Sequence, residues 1–362
     1  MNERVFRAPG RVNLMGDHTD YNDGFVLPMA IDREAVVTAR ATEDGRVRVT
    51  SEDHDGAVDV AADGSDSPRD VRPEWGRLIA GVVSSAAEWG RKPVGLEARI
   101  VSSVPEGSGL SSSAAVEVAW ALALTCAAGF ELARRDVARL CQAAEQAATG
   151  VPSGIMDQLT SLLGVDGAAL LIDCRSLEVE PVRLPAGLAV LAVHSGIQRR
   201  LSHTPYAERR VACEESARRL GVAALRDASF EQVRDDPVAR HVVSENTRVY
   251  ETADALRAGD VERAGRLFAE SHASLRDDFR VSTAELDALV DDLERAGAYG
   301  ARLTGAGFGG SVVAICAEER VEAVAAATEP YARRTGRTAT AFVCRAVAGA
   351  QLPSSSASSP QA

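Results

Sequence analysis

The chain has 362 residues, 46% of them hydrophobic and 25% charged, the balance of a globular protein long enough for about two domains. Its formal net charge of -12 excludes a general basic surface for nucleic acid or anionic membrane, and no apolar run reaches membrane-spanning length. Six cysteines without C-x-x-C or paired spacing read as small core residues of a reduced, cytoplasmic protein, and Arg4, Arg7 and Arg11 interrupt any signal-peptide core.

The first informative segment is Ala8-Pro-Gly-Arg-Val-Asn-Leu-Met-Gly-Asp-His-Thr-Asp-Tyr-Asn-Asp-Gly-Phe-Val-Leu-Pro28. It sets Arg11, Asn13, Asp17, His18, Asp20, Tyr21, Asn22 and Asp23 between short apolar pieces, with glycines marking sharp turns. One reading is a polar hairpin whose side chains cap its own turns. So many donors and acceptors point more to a polyol site, because sugar hydroxyls need both. Alternating segments at 35–41, 47–51 and 57–60, with turns at Asp44-Gly45 and Asp55-Gly56, read as antiparallel strands. Residues 74–89 place Trp75, Leu78, Ile79, Val82, Val83 and Ala86 on one helical face. Trp75, in the first turn, reads as core or as an indole stacking on a purine.

A strand-like stretch at 96–101 leads into Val104-Pro-Glu-Gly-Ser-Gly-Leu-Ser-Ser-Ser-Ala-Ala115 and an apolar helix to Ala128, stopped by Gly129. Strand, glycine turn, serine cluster and helix hold an anion well: backbone N–H groups approach it and the helix adds partial positive charge. The same pattern also makes a plain loop with an N-cap. No GK[ST] is present and Lys92 is the chain's only lysine, so phosphate charge falls to arginine, metal ion or backbone. Helix 135–149 carries Glu145 beside the stripe Val137, Leu140, Cys141 and Ala144, as a solvated edge residue or a metal ligand. Gly150-Val-Pro-Ser-Gly-Ile-Met-Asp-Gln158 breaks the chain and starts a new helix. There Asp157 is either its cap or a general base or partner of an arginine.

Strands at 168–173 and 188–194 open a mostly helical second half, with helices at 204–220, 238–257, 261–275 and 282–296. The last begins with Ser282-x-x-Glu285, a capping box. His203-Thr-Pro-Tyr206 precedes a charged run. Ala301-Arg-Leu-Thr-Gly-Ala-Gly-Phe-Gly-Gly-Ser311 reads as one strained hairpin or as a loop closing over a ligand, and a strand at 339–347 ends the fold.

Together, Gly10-Arg-Val-Asn-Leu-Met-Gly-Asp-His-Thr-Asp-Tyr-Asn-Asp-Gly24, Pro105-Glu-Gly-Ser-Gly-Leu-Ser-Ser-Ser-Ala114 and Thr304-Gly-Ala-Gly-Phe-Gly-Gly310 resemble the GHMP small-molecule kinases over residues 5–347. Cys141-Gln-Ala-Ala-Glu145 and Gly154-Ile-Met-Asp-Gln158 match as well, and the first motif is similar to the galactokinase family in particular. The resemblance implies an α+β fold of two lobes with the active site between them. The N-terminal lobe, 1–180, would be ribosomal-protein-S5-like, the C-terminal lobe, 181–350, helix-rich α+β, and 351–362 a disordered tail. ATP and Mg2+ are implied, with Gly107, Ser108, Gly109, Leu110, Ser111, Ser112 and Ser113 around the ATP phosphates, Ser113 and Glu145 on the metal, and Trp75 near adenine. The sugar site would comprise Arg11, Asp17, His18, Asp20, Gly154, Asp157 and Tyr206. In it Asp157 would accept the anomeric proton, while Arg11 keeps it ionised and stabilises charge on the transferred group. The implied reaction is ATP plus α-D-galactose to galactose 1-phosphate and ADP, in a cytoplasmic monomer without nucleic-acid or membrane partners.

Some positions depart from the family pattern. Asp17 stands where glutamate is usual, which withdraws roughly an ångström of reach and favours a water-mediated contact at the far end of the hexose. Ser153 (commonly cysteine) and Leu303 (commonly methionine) read as packing changes, and His194 replaces a small or polar residue. The alternatives are a 1-kinase for another galacto-configured sugar (L-arabinose, galactosamine or galacturonate) and a non-catalytic sugar sensor. A uronate kinase would need a cation near Asp17, and none is visible in the sequence. A sensor would carry insertions or losses in the serine-rich loop, which is complete here.

Overall fold

The computed structural model describes residues 2–198 and 205–352. The expected helix start at Thr204, His203 before it, and the tail from 353 onward lie outside the described residues. Strand β1 (Arg4–Asn13) runs into a loop and the short β2 (Phe25–Val26), and β3 (Pro28–Thr42) returns antiparallel to β1. β4 (Arg46–Ser51) and β5 (Ala57–Ala61) form a hairpin. Its Val47, Val49, Val58 and Val60 alternate into a core shared with Ile79, Val82 and Val83 of α1 (Gly76–Glu88). β6 (Gly95–Ser102) then inserts between β3 and β4, antiparallel to one and parallel to the other, so the sheet order is β1-β3-β6-β4-β5. The segments at 35–41 and 47–51 are therefore not paired with each other, contrary to the sequence expectation. Both carry the alternation of a half-buried strand, but alternation sets the face and not the neighbour.

Helix α2 (Ser112–Ala127) is apolar on nearly every side because it lies buried between this sheet and its fellow helices, with Trp120 fully enclosed and donating from Nε1 to Ile79 O at 3.2 Å. α3 (Arg134–Thr149) and α4 (Met156–Leu163) complete the layer. β7 (Ala168–Asp173) and β8 (Val179–Arg183) join β2 in a three-stranded antiparallel sheet, and β8 spans the expected boundary at 180.

The second lobe carries β9 (Leu188–His194), α5 (Pro205–Leu220), α6 (Pro237–Ala258), α7 (Val261–Asp277), α8 (Ala284–Arg295), β10 (Gly300–Thr304), β11 (Ser311–Ala317), α9 (Val321–Ala325), α10 (Thr328–Thr335) and β12 (Thr340–Cys344). Its antiparallel sheet has the order β10-β11-β9-β12. The cap of α8 is Thr283 rather than Ser282: the Thr283 hydroxyl accepts from Leu286 N at 3.3 Å. Ser282 is drawn off to donate to Asp287 Oδ1 at 2.6 Å, so the expected capping box does not form. Leu14, Met15 and Leu27 share one apolar cluster with Val190, Val249, Ala253 and Val313, which joins the lobes. After β12 the chain returns to the first lobe, where Ile31 bridges Ala346 and Arg7 bridges Gln351. Five cysteines are buried and Cys126 is half-buried, all as free thiols.

Candidate active site

A cavity of about 550 Å3 opens between the lobes and draws its lining from the stretches singled out in the sequence. Arg11, near the end of β1, clamps two of them together. Its Nε and Nη2 donate to Asp157 Oδ1 and Oδ2 at 2.8 and 2.9 Å, and its Nη1 donates to Gly109 O at 2.5 Å. The Arg11 side chain is 4% exposed and that of Asp157 28%, so the carboxylate is the partner that faces the cavity. Asp157 does not cap α4, whose N-cap is Ile155 without a side-chain bond, but it lies in the first turn, where the helix favours an anion. Ser111 Oγ donates to Asp157 Oδ2 at 2.5 Å.

The serine-glycine loop turns through left-handed backbone at Gly107 (φ 67°), Gly109 (φ 81°) and Ser111 (φ 62°) before α2 begins. Gly107, Gly109, Ser111, Ser112 and Ser113 line the cavity. Ser108 and Leu110 do not, because both side chains are buried in the loop's own support. Ser108 Oγ donates to Pro105 O at 2.5 Å and accepts from Leu110 N at 3.3 Å, while Ser108 O accepts from Ser311 Oγ at 2.6 Å. The C-terminal glycine loop thus docks behind the N-terminal one. It is strained and lines the cavity, with positive φ at Gly305, Gly307, Phe308, Gly309 and Gly310 and with Gly305, Ala306 and Phe308 in the lining.

Ser113 Oγ donates to Glu145 Oε1 at 3.2 Å, and Glu145 Oε2 accepts from Ser153 Oγ at 2.6 Å and Gln158 Nε2 at 3.1 Å. Ser153 is therefore a hydrogen-bond partner of Glu145 and not the packing change the sequence suggested. Leu303 is fully buried in β10, as a packing residue should be. Burial, with the charge of Asp157 added, pushes the Glu145 carboxyl up and outweighs the hydrogen bonds from Ser153, Gln158 and Ser113. Among the described residues no cluster of three His, Cys, Asp or Glu side chains makes a metal cage. A hydroxyl and a carboxylate side by side without a positive partner do fit Mg2+, which takes one or two protein oxygens and completes its shell with phosphates and water. At the other end Trp75 lines the cavity and donates from Nε1 to Asp55 O at 3.2 Å, its ring stacked at 14° on His54. His54 Nε2 pairs with Glu106 Oε1 at 2.6 Å.

The loop after β1 supplies the other side. Thr19 and Asn22 hold its turns, through Thr19 Oγ1 to Gly16 O at 2.7 Å and Asn22 Nδ2 to His18 O at 2.9 Å. That leaves Asp17, His18 and Asp20 in the lining, together with Gly154 and Tyr206. His18 lies against Tyr206 and Phe279, with ring centroids 5.7 and 4.6 Å away. Asp20 packs so tightly on Gly154 that a Cβ there would sit 1.7 Å from Asp20 Oδ2. Burial, then the charge of Asp157, pushes the Asp20 carboxyl up to about 7.

Asp17 is held by groups the sequence did not single out. Its Oδ1 accepts from Asn13 Nδ2 at 3.0 Å and Gly305 N at 2.9 Å, and its Oδ2 from Arg302 Nη2 at 2.5 Å. Arg302 is 0% exposed and also meets Glu245, Ser271 and Leu14 O. Glu245 in turn accepts from Gly16 N at 3.1 Å. Burial alone would raise Glu245, but Arg248 and Arg302 hold its carboxyl down to about 2. A cation does stand beside Asp17, contrary to the sequence reading, yet two carboxylates neutralise it away from solvent. The signals were faint: one arginine in a strand buried throughout, and one glutamate in the apolar stripe Val242, Glu245, Val249, Thr252 and Leu256 of α6.

Known proteins resemble this chain along nearly its whole length. Family models described as "Galactokinase galactose-binding signature", "GHMP kinases N terminal domain" and "GHMP kinases C terminal" match residues 1–41, 77–165 and 252–332. A galactokinase of Chloroflexus aggregans (strain MD-66 / DSM 9485) is 47% identical, covering 96% of this chain and 92% of that protein. One of Roseiflexus sp. (strain RS-1) is 45% identical, covering 95% and 92%. The crystal structure of Lactococcus lactis galactokinase complexed with galactose superposes at TM-score 0.91 with 32% identity, covering 97% of this chain and 95% of that one. The Methanococcus jannaschii mevalonate kinase shares the fold at TM-score 0.71 with 19% identity, covering 96% and 99%. Both kinase domains, the sugar-binding signature and relatives matched along nearly the whole length lead to one conclusion: the chain belongs to the galactokinase family of the GHMP kinases.

Proposed function

We propose that this cleft transfers the γ-phosphoryl group of ATP to the anomeric hydroxyl of galactose, with Asp157 and Arg11 at the reacting centre. The observation that carries this reading is the Arg11-clamped carboxylate of Asp157, facing the cavity beside the serine-glycine loop. Asp157 accepts the anomeric proton as that oxygen forms a bond to the γ-phosphorus. The bond from the γ-phosphorus to the β–γ bridging oxygen breaks, its electrons leave with ADP, and the proton passes to solvent. Arg11 stays cationic and stabilises charge on the moving group, a task mainly of positioning and electrostatics. The backbone N–H groups of the cavity-facing Gly107, Gly109 and Ser111 and the hydroxyl of Ser112 supply donors to the phosphates. Ser113 and Glu145 would hold Mg2+, which would supply positive charge to offset that of the phosphates. Trp75 bounds the adenine end.

Asp20, His18, Tyr206 and the close backbone at Gly154 meet the sugar hydroxyls. Asp17 spends three of its roughly four acceptor positions on Asn13, Gly305 and Arg302, which leaves one for the sugar. A galacturonate carboxylate would meet Asp17 without a free cation, so a neutral sugar is favoured there. The intact loop, Glu145 and Asp157 favour a catalyst over a sensor. We further infer a cytoplasmic location, supported by six free cysteines. Among the described residues no helix is long and apolar enough to cross a membrane.

The test is coupled ADP release with galactose, 2-deoxygalactose, galactosamine, L-arabinose and galacturonate. Galactose is expected to be the best substrate and galacturonate inert. If none of the five released ADP, this reading would fall.

A further inference from the structure

We infer that Ser111 is a positioning residue for Asp157, fixing the carboxylate in the orientation that meets the sugar proton. This deepens the reading in which Asp157 faces the anomeric hydroxyl, and rests on it. A carboxylate offers about four acceptor positions, two on each oxygen. Oδ2 takes Arg11 Nη2 at 2.9 Å and Ser111 Oγ at 2.5 Å, while Oδ1 takes Arg11 Nε at 2.8 Å and lies 2.8 Å from Arg11 Nη2. The arginine fork grips Oδ1 with two nitrogens and Oδ2 with one. Ser111 secures the Oδ2 side and so holds the carboxylate against rotation.

Neither of the ordinary reasons for a serine before a helix applies to Ser111. It occupies the N-cap of α2, but its hydroxyl makes no capping bond there. Its φ of 62° lies where a Cβ is strained and where Gly107 and Gly109 pass freely. A glycine would suit the turn better and a conventional cap would turn its hydroxyl inward. The serine does neither, and its hydroxyl instead reaches a residue 46 positions away in sequence. Arg11 ties the same segment from the other side, through its backbone N to Leu110 O at 3.0 Å and Nη1 to Gly109 O at 2.5 Å. Loop and carboxylate therefore move as one unit, so seating the phosphates and aiming the acceptor oxygen are the same event.

Two substitutions separate this role from a purely conformational one. Ser111→Ala removes the hydroxyl and keeps the strain; Ser111→Gly removes the hydroxyl and relieves it. Both are measured in the full chain for kcat, and for ATP and galactose dissociation constants by calorimetry, with thermal unfolding as the check on folding and Asp157→Asn as the control. Both Ser111 variants are expected to lose about tenfold or more in kcat, because the hydroxyl serves the reacting geometry. Their two dissociation constants should change by less than about threefold, because little ground-state binding is removed. Wild-type turnover in Ser111→Gly would overturn the inference, as would a loss confined to ATP binding. If Asp157→Asn is inactive while Ser111→Ala turns over normally, this inference alone fails. If Asp157→Asn itself turns over normally, the reading of Asp157 fails with it.

Discussion

Asp20 lies half-buried in the cavity wall near Asp157, and its carboxyl rises to about 7 from an ordinary 3.8, through burial first and then the charge of Asp157. The folded chain therefore holds this proton more tightly than the unfolded one. The resulting penalty is absent below about pH 4, grows as pH rises, and is complete above about 7, where it reaches a few kcal/mol at most. Asp20→Asn should accordingly raise the melting temperature of the sugar-free protein most at pH 8, less at pH 5 and hardly at all near pH 4, while raising the KM for galactose. An equal shift at both pH values would refute the electrostatic cause. At the reacting centre, Asp157→Asn should cost at least about a hundredfold in kcat with folding intact. Arg11→Ala should cost as much or more, and also weaken ATP binding, because its Nη1 no longer holds Gly109 O. Steady-state kinetics with both substrates varied would expose the difference.

Gly154 and the start of α8 show what element boundaries do here. At Gly154 the turn between α3 and α4 presses on Asp20, so a methyl group would displace that carboxylate. Gly154→Ala is expected to raise the galactose KM by about tenfold or more, since a shift near 1 Å at a binding carboxylate is costly. ATP binding measured by calorimetry should be unchanged. At α8, Thr283→Ala should cost about 1 kcal/mol in urea unfolding because it removes the cap. Ser282→Ala should cost less, the reverse of what the Ser-x-x-Glu pattern implies. That pattern misled because Asp287, one turn further on, competes for the Ser282 hydroxyl. Helix 74–89 and the helix ending before Gly129 were legible to within a few residues, since periodicity and glycine stops act locally.

Across the molecule, the buried set Asp17, Glu245 and Arg302 ties the sugar loop of the first lobe to β10 and α6 of the second. Glu245→Gln leaves Arg302 short of a counter-charge and should lower the unfolding free energy by about 3–5 kcal/mol. It should also raise the galactose KM while sparing that of ATP. Because Glu245 is held at about 2, below its ordinary 4.5, its contribution is complete above pH 4.5 and is lost as pH falls toward 2. Acid unfolding of wild type and variant should therefore converge at the lowest pH. The outline of the cleft was legible early: the polyol-like loop, the serine-glycine turn and Asp157 all reach one cavity. Those stretches carry their chemistry in their own composition, with glycines where backbone must turn left-handed and polar side chains in excess of what turns need. The strand order of the first sheet, the partners of Asp17 and the direction of the Ser111 hydroxyl were not legible. Each depends on groups brought together from far along the chain, as with Arg302 and Asp17 at a separation of 285 residues. A buried charge must find a counter-charge, but the rule does not say which one, and only the packing of two lobes decides it.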